Sequence, residues 1–196
     1  MIAIVNYRAG NLTSVKKALD SLGVKSEITS APETVASAEK IILPGVGHFS
    51  TTAVLDTLGL RSAILERIED GVPFLGICVG MQWMFESSDE APSTCGSGLL
   101  KGNCERFPSS VKSPHVGWNS LTCEARCLLL RDIPSGSFVY FTHSYRAPVV
   151  ATTVARSEYA GEFSAAVERE NVFGVQFHPE KSGKVGLSLL ENFCRL

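Results

Sequence analysis

The sequence predicts an α/β domain with a largely parallel central sheet and antiparallel strands in its C-terminal half. Apolar runs too short for helices alternate with segments of helical periodicity over the first two-thirds of the chain. The last third is instead a series of β-rich stretches closed by one amphipathic segment. The chain has 196 residues, 44% apolar and 19% charged, enough to bury a core, with no internal repeat or low-complexity linker. One domain over 1–196 is the simplest organisation.

Residues 2–7 form an apolar run suited to a buried strand. Asn11 can cap a helix whose face is Leu12, Val15, Leu19 and Leu22, ended by Gly23. Residues 40–46 make the next strand, closed by a Pro-Gly turn. Residues 55–68 repeat Leu58, Ile64, Leu65 and Ile68 at helical spacing. Residues 72–77 make a third strand, followed by a helix carrying Met81, Trp83, Met84 and Phe85. Residues 91–119 are rich in Gly, Pro and Ser and read as loops with short strands. Residues 138–145, 151–156, 164–169 and 172–177 are β-rich, and 137–176 is expected to add antiparallel strands. Val185, Leu189, Leu190 and Phe193 mark a closing helix.

Lys plus Arg is 18 and Asp plus Glu is 20, a net charge of −2, which excludes a phosphate backbone as the main partner. No apolar run approaches the roughly 20 residues that span a bilayer, so no membrane is expected. The N-terminus lacks a basic region before its apolar run, so no signal peptide is expected and the chain is read as cytoplasmic. The six cysteines, at 78, 95, 104, 123, 127 and 194, form no Cys-x-x-Cys pair or zinc-ligand spacing. Free thiols and no metal are expected.

Gly76-Ile77-Cys78-Val79-Gly80 is a G-x-C-x-G pentapeptide between an apolar strand and a helix. It is the thiol version of a nucleophile elbow, where small residues two positions either side avoid collision in a tight turn. A helix start there offers N–H groups that favour thiolate, and the Val79 N–H can meet an oxyanion. Taken alone, the pentapeptide suits a packed cysteine between glycines equally well. Pro44-Gly45-Val46-Gly47 can supply a second oxyanion donor from the neighbouring strand end, or is an ordinary turn.

A cysteine nucleophile needs a base, and the base an orienting group. Of four histidines, His178 stands in Phe177-His178-Pro179-Glu180. In extended chain, residues two apart point the same way, roughly 6.5–7 Å apart at Cα, so Glu180 can hold one ring nitrogen and leave the other for Cys78. His143 is the rival base, but no acid lies two residues away, so it reads as structural or as shaping the pocket.

These segments resemble the class I (triad) glutamine amidotransferases, over essentially the whole chain. The resemblance rests on Gly76-Ile77-Cys78-Val79-Gly80-Met81-Gln82, on Gly174 through Gly183 (GVQFHPEKSG) and on Val5 through Asn11 (VNYRAGN). It rests also on Pro44-Gly45-Val46-Gly47, on Pro114 through Asn119 (PHVGWN) and on Tyr140 through Tyr145 (YFTHSY). It implies the family's three-layer fold, glutamine as substrate, and Cys78, His178 and Glu180 as triad. It also implies an oxyanion hole from the amides of Val79 and of Val46 or Gly47, and no cofactor. Gly47, Gln82, Glu90, Ser144 and Tyr145 would hold glutamine, although Gln82 also reads as a solvated helix residue and Glu90 as one of an exposed acidic run. The detailed match is to members that pass ammonia to a (β/α)8-barrel cyclase subunit, as a heterodimer making imidazole glycerol phosphate for L-histidine. Asn11, Trp118 and Lys181 would face that partner, with a core position the alternative for Trp118. Val79 and Val116 stand where Leu and Met are commoner. Two other readings are a glutaminase serving a vitamin B6 synthase and a cysteine-elbow protein that binds or senses redox state without turnover; PHVGWN weighs against the first.

Overall fold

A computed structural model describes residues 1–124 and 127–196. Strand and helix alternate first, through β1 (Ile2–Val5), α1 (Leu12–Ser21), β2 (Ser26–Thr29), α2 (Pro32–Ala36), β3 (Lys40–Gly45), α3 (Ala53–Thr57), α4 (Leu60–Glu69), β4 (Phe74–Cys78) and α5 (Val79–Trp83). Then come β5 (Ser87–Ser88), β6 (Asn103–Arg106), β7 (His115–Ser120), β8 (Thr122–Cys123), β9 (Phe138–His143), β10 (Tyr145–Arg146), β11 (Thr153–Glu158), β12 (Glu162–Arg169) and β13 (Val172–Val175). The last element is α6 (Gly183–Cys194).

Eight strands form the main sheet in the order β2-β1-β3-β4-β13-β12-β11-β8. The first five are parallel and the rest antiparallel. The inner parallel strands β1, β3, β4 and β13 are buried almost throughout, as continuous apolar runs require when helices cover both faces. In β1, Ile2 and Ile4 face one apolar cluster with Val15 and Leu19 of α1 and Leu189, Leu190 and Phe193 of α6. Ala3 and Val5 face the other, with Val35 of α2, Ile64 and Ile68 of α4, and Trp83. Two helical layers therefore enclose one sheet, the predicted architecture. β7 and β9 leave the main sheet as an antiparallel ribbon, and β5, β6 and β10 form a small sheet of their own.

Several elements differ from expectation. The helix read over 55–68 is two, α3 and α4, broken at Gly59, which takes φ +69° and donates its N–H to the Asp56 carbonyl. Asn11 occupies the cap position of α1, but its side chain makes no capping hydrogen bond. The strand after 172 is not simply antiparallel: β13 pairs parallel with β4 and antiparallel with β12, making it the seam of the sheet. β2 and α2 were not anticipated, because β2 is a half-exposed edge strand with no apolar run and α2 has five residues.

The tightest packing lies where β4 turns into α5. A Cβ on Gly80 would sit 1.9 Å from the Leu43 carbonyl oxygen, and one on Gly76 would sit 2.5 Å from the Gly80 oxygen. The two nearest atoms in each case are backbone, so relief requires moving β3 or α5. Gly80→Ala is therefore expected to destabilise the chain by about 3 kcal/mol or more in urea unfolding. Gly98→Ala, at a left-handed position with open space, should cost only about 1 kcal/mol.

Candidate active site

β4 delivers Cys78 to its C-terminal end, the edge of a parallel sheet where sites form. Cys78 takes φ +55° and ψ −109°, a conformation that L-residues rarely adopt and that persists only where its surroundings impose it. α5 begins at the next residue, and the side chain is 3% exposed. In the β3–β4 register Gly45 lies opposite Cys78, so Val46 and Gly47 leave the sheet at the level of the sulfur.

His178 follows β13, beside β4, and its N–H donates to the Tyr140 carbonyl at 2.9 Å. Its Nδ1 lies 2.9 Å from Glu180 Oε1, with both side chains 1% exposed. The expected pairing is present, but the backbone path differs. Residues Pro179–Lys181 make a 3-10 turn rather than continuing the strand, and the turn brings the carboxylate back to the ring. Ser182 secures it, donating its hydroxyl to the His178 carbonyl at 2.6 Å and accepting the Tyr140 N–H at 3.0 Å. His178 Nε2 is buried and faces the Cys78 sulfur without closing a well-formed hydrogen bond. Such bonds commonly tighten only when substrate is bound. Burial favours neutral His178, but the charge of the nearby Cys78 sulfur, and then the hydrogen bond and charge of Glu180, outweigh it and raise its pKa above the ordinary imidazole range.

A cavity of about 180 Å³ opens over the sulfur, lined by Val46, Gly47, Val79, Gln82, Glu90, and residues of the β9–β10 turn including Ser144 and Tyr145. All five residues assigned to glutamine thus meet at one cavity with Cys78. Gln82 is not a solvated helix residue: it is 2% exposed, and its Nε2 donates to the Tyr145 carbonyl at 2.9 Å and to Gln176 Oε1 at 3.2 Å. Glu90 is half-buried, and its Oε2 accepts the Phe49 N–H at 2.7 Å, tying it to the loop after Gly47.

His143 lines the same cavity and is also held by buried contacts, so both of its expected parts, structural and pocket-shaping, stay open. Its Nδ1 meets the Tyr145 carbonyl at 2.8 Å and its Nε2 meets His115 Nδ1 at 3.2 Å. Burial lowers its pKa to about 3 and that of His115 to about 4. Trp118 is not a core residue: it is 55% exposed on the ribbon, edge-on to Tyr140 at 6.1 Å, with Lys181 Nζ 5.8 Å from the same ring. Asn11 stands at the start of α1.

Three residues of the site escaped the sequence reading. Ser182 stands in the GVQFHPEKSG segment, but nothing in the sequence assigns it a role. Gln176 is a polar residue inside an apolar strand run, which is a usable sign of a buried polar role. Tyr7 is fully buried with its hydroxyl against Gly45 and no hydrogen-bond partner among the described residues. Burial first, and the Cys78 charge second, raise its pKa. Among the described residues no cluster of three or more His, Cys, Asp or Glu could hold a metal, and no helix is long and apolar enough to cross a membrane.

The chain matches the family described as glutamine amidotransferase class-I over residues 3–196. It is 45% identical over 197 residues to the imidazole glycerol phosphate synthase subunit HisH of Methanocaldococcus jannaschii, covering 100% of both chains. It is 48% identical to the subunit of the same name from Pyrococcus furiosus, covering 100% of this chain and 98% of that one. Among solved structures it superposes on PurLQS from Thermotoga maritima with a TM-score of 0.79 at 23% identity, covering 99% of this chain and 97% of that one. A second neighbour, described as a glutamine amidotransferase, gives a TM-score of 0.78 at 19% identity over 99% and 100%.

Two outcomes follow from the buried groups. Unfolded His115 and His143 take up protons from about pH 6.5 downward, whereas the folded chain holds them neutral to about 4 and about 3. Folding stability is therefore present above pH 6.5 and declines below it. His178 works the other way: it stays protonated in the folded chain, so its stabilisation grows as the unfolded imidazole takes up its proton, which offsets part of the fall from the other two without reversing it. The urea midpoint should fall between about pH 6.5 and 5, above the carboxylate range, and His143→Gln should flatten the fall. Tyr7→Phe removes an unpartnered hydroxyl and should raise stability by about 1 kcal/mol in the same assay.

Proposed function

The chain belongs to the class I glutamine amidotransferases, and from that premise we propose that it is the glutaminase subunit of an imidazole glycerol phosphate synthase in L-histidine biosynthesis. The observation that carries the reading is a buried cysteine on a strained elbow, facing a histidine whose far nitrogen is held by a buried carboxylate. The name shared by its full-length relatives favours histidine over vitamin B6 as the destination.

In this reading the Cys78 sulfur attacks the side-chain amide carbon of glutamine. His178 carries the thiol proton and passes it to the departing ammonia, leaving a γ-glutamyl thioester. His178 then takes a proton from water, which attacks the thioester carbonyl. Glutamate leaves and the proton returns to sulfur. Glu180 fixes the tautomer and orientation of the ring throughout. The Val79 amide and that of Val46 or Gly47 meet the oxyanion, a donor worth on the order of 10²–10³ in rate. Both Gln82 amide hydrogens are engaged, so its carbonyl oxygen is the group left for the substrate ammonium. Glu90 and the backbone of Gly47, Ser144 and Tyr145 complete the head-group site.

Ammonia released into water becomes ammonium and is lost as a nucleophile. The proposed partner is a (β/α)8-barrel cyclase, bound as a heterodimer in the cytoplasm, and the exposed Trp118 beside Lys181 supports a docking face there, with Asn11 at its margin. Turnover by the isolated chain is expected to be low until the loop at 44–47 turns its amide inward. Gly47 is exposed, at φ +121° with open space around it, and leaves that loop free to turn.

In the complex, Cys78→Ala should lower glutamine-dependent synthesis by on the order of 10³ or more while ammonia-dependent synthesis persists. Glutamate release, measured with and without the cyclase, should rise on docking in the wild type only. Normal glutamine use by the Cys78→Ala complex would overturn the reading.

A further inference from the structure

One series of hydrogen bonds runs from the β7–β9 ribbon to the Cys78 sulfur. Asn119 Nδ2 lies 3.4 Å from His115 Nε2, His115 Nδ1 lies 3.2 Å from His143 Nε2, and His143 Nδ1 lies 2.8 Å from the Tyr145 carbonyl oxygen. The same oxygen accepts from Gln82 Nε2 at 2.9 Å, and Gln82 Nε2 also donates to Gln176 Oε1 at 3.2 Å. Gln176 Nε2 lies 3.8 Å from Cys78 Sγ.

Only one assignment of donors satisfies the series. A carbonyl oxygen can only accept, so Gln82 turns its amino group toward Tyr145, and His143 carries its proton on Nδ1. Neutral His143 then accepts at Nε2, so His115 donates from Nδ1 and accepts at Nε2 from Asn119. Gln82 cannot flip, because its oxygen would face the Tyr145 carbonyl. Gln176 cannot flip either, because its amino group would face that of Gln82. The Gln176 amide is thus locked with its N–H toward the sulfur. Gln176 is 0% exposed and is flanked by Val175 and Phe177, where an apolar side chain would pack without leaving polar atoms to satisfy.

We propose that Gln176 is a further residue of the proposed glutaminase reaction, donating a hydrogen bond to the Cys78 sulfur and holding it, as thiolate, in its attacking position. The proposal rests on the functional reading above. A neutral donor complements the His178 imidazolium: it stabilises negative charge on sulfur without competing for the proton that His178 must deliver to ammonia. It also leaves the sulfur lone pair on the cavity side free for the substrate carbon.

Gln176→Met conserves volume and removes the donor, and Gln176→Glu keeps the shape and the bond from Gln82. Both are made in the full chain. Iodoacetamide labelling of Cys78 at neutral pH, followed on its own peptide by mass spectrometry, should slow about tenfold or more in the Met variant and at least as much in the Glu variant. The His178 ring titration, followed by NMR, should move toward lower pH in Gln176→Met. In a Cys78→Ala background the same substitution should leave it unmoved. With the cyclase bound, kcat for glutamine should fall while KM stays within about twofold. Wild-type labelling rate and an unmoved His178 titration in a folded Met variant would overturn the proposal, and the Glu variant decides in the same way should the Met variant fail to fold. Labelling and titration need neither glutamine nor partner, so failure here is distinct from failure of the glutaminase reading, which the Cys78→Ala complex tests.

Discussion

The active-site geometry depends on the contact between α5 and β3 at Gly80. With no side chain at Gly80, the helix backbone rests directly on the Leu43 carbonyl, and with none at Gly76 the turn can fold back on itself. The turn so compressed leaves Cys78 only a left-handed conformation, a strain of order 1–3 kcal/mol that the packed strands on either side over-determine. Everything else in the site is placed relative to that turn. Pairing with β3 sets Gly45, and so the loop at 46–47, beside the sulfur. Pairing with β13 in register from Phe74 to Ile77 brings the chain out on the other side, where it reaches His178 two residues after Gln176.

Burial alone does not decide the charge of a side chain here. His115, His143 and His178 are all nearly inaccessible, and desolvation pushes each toward its neutral form. The difference lies in what each ring faces. His178 stands between the Cys78 sulfur and a carboxylate, and negative charge on these two groups recovers the cost of burying an imidazolium. His143 faces a backbone carbonyl and another neutral ring, and His115 lies stacked between Tyr159 and Phe141. His178 alone is therefore placed to serve as the proton carrier of the proposed reaction, and the other two are neutral dipoles whose orientation propagates through Tyr145 and Gln82 to Gln176.

The parts legible in the sequence were those where one residue type answers one local demand. G-x-C-x-G marks the elbow because no other side chain fits, and the continuous apolar runs of β1, β3 and β4 mark strands covered on both faces. The pairing of His178 with Glu180 was legible for the wrong backbone: extended chain and a 3-10 turn both bring residues two apart together, and Pro179 suits either. The break at Gly59 was hidden because the apolar spacing continues across it. For Gln82 a solvated position stayed open beside the substrate role, because helix periodicity says nothing about α5 being buried on all sides, a consequence of strands that pair from far along the chain. Ser182 and Tyr7 lie in segments that carry the family resemblance, but nothing there shows what each does, since their contacts depend on backbone brought close only by the sheet order.

The ribbon explains how a surface event can bear on a buried triad. Along β9, Val139, Phe141 and His143 are buried while Phe138 is 57% exposed, and on β7 Val116 and Trp118 are 56% and 55% exposed. Trp118 pairs with Tyr140 and Ser120 with Phe138, so these exposed side chains share one outer face, with Lys181 over Tyr140. An apolar patch of this kind beside a cation is the chemistry of an interface rather than of a solvated strand. The backbone of the same strand serves the site from within. The Tyr140 carbonyl holds the His178 N–H, its N–H is held by Ser182, and the Thr142 carbonyl lies 4.0 Å from the Cys78 sulfur. A single strand thus separates the proposed partner from the sulfur. Seating the partner on Trp118 and Tyr140 would press on the strand that anchors both His178 and the turn carrying Glu180. In the proposed complex, docking and catalysis would act on two faces of one element, and coupling them would need no longer path than the width of β9.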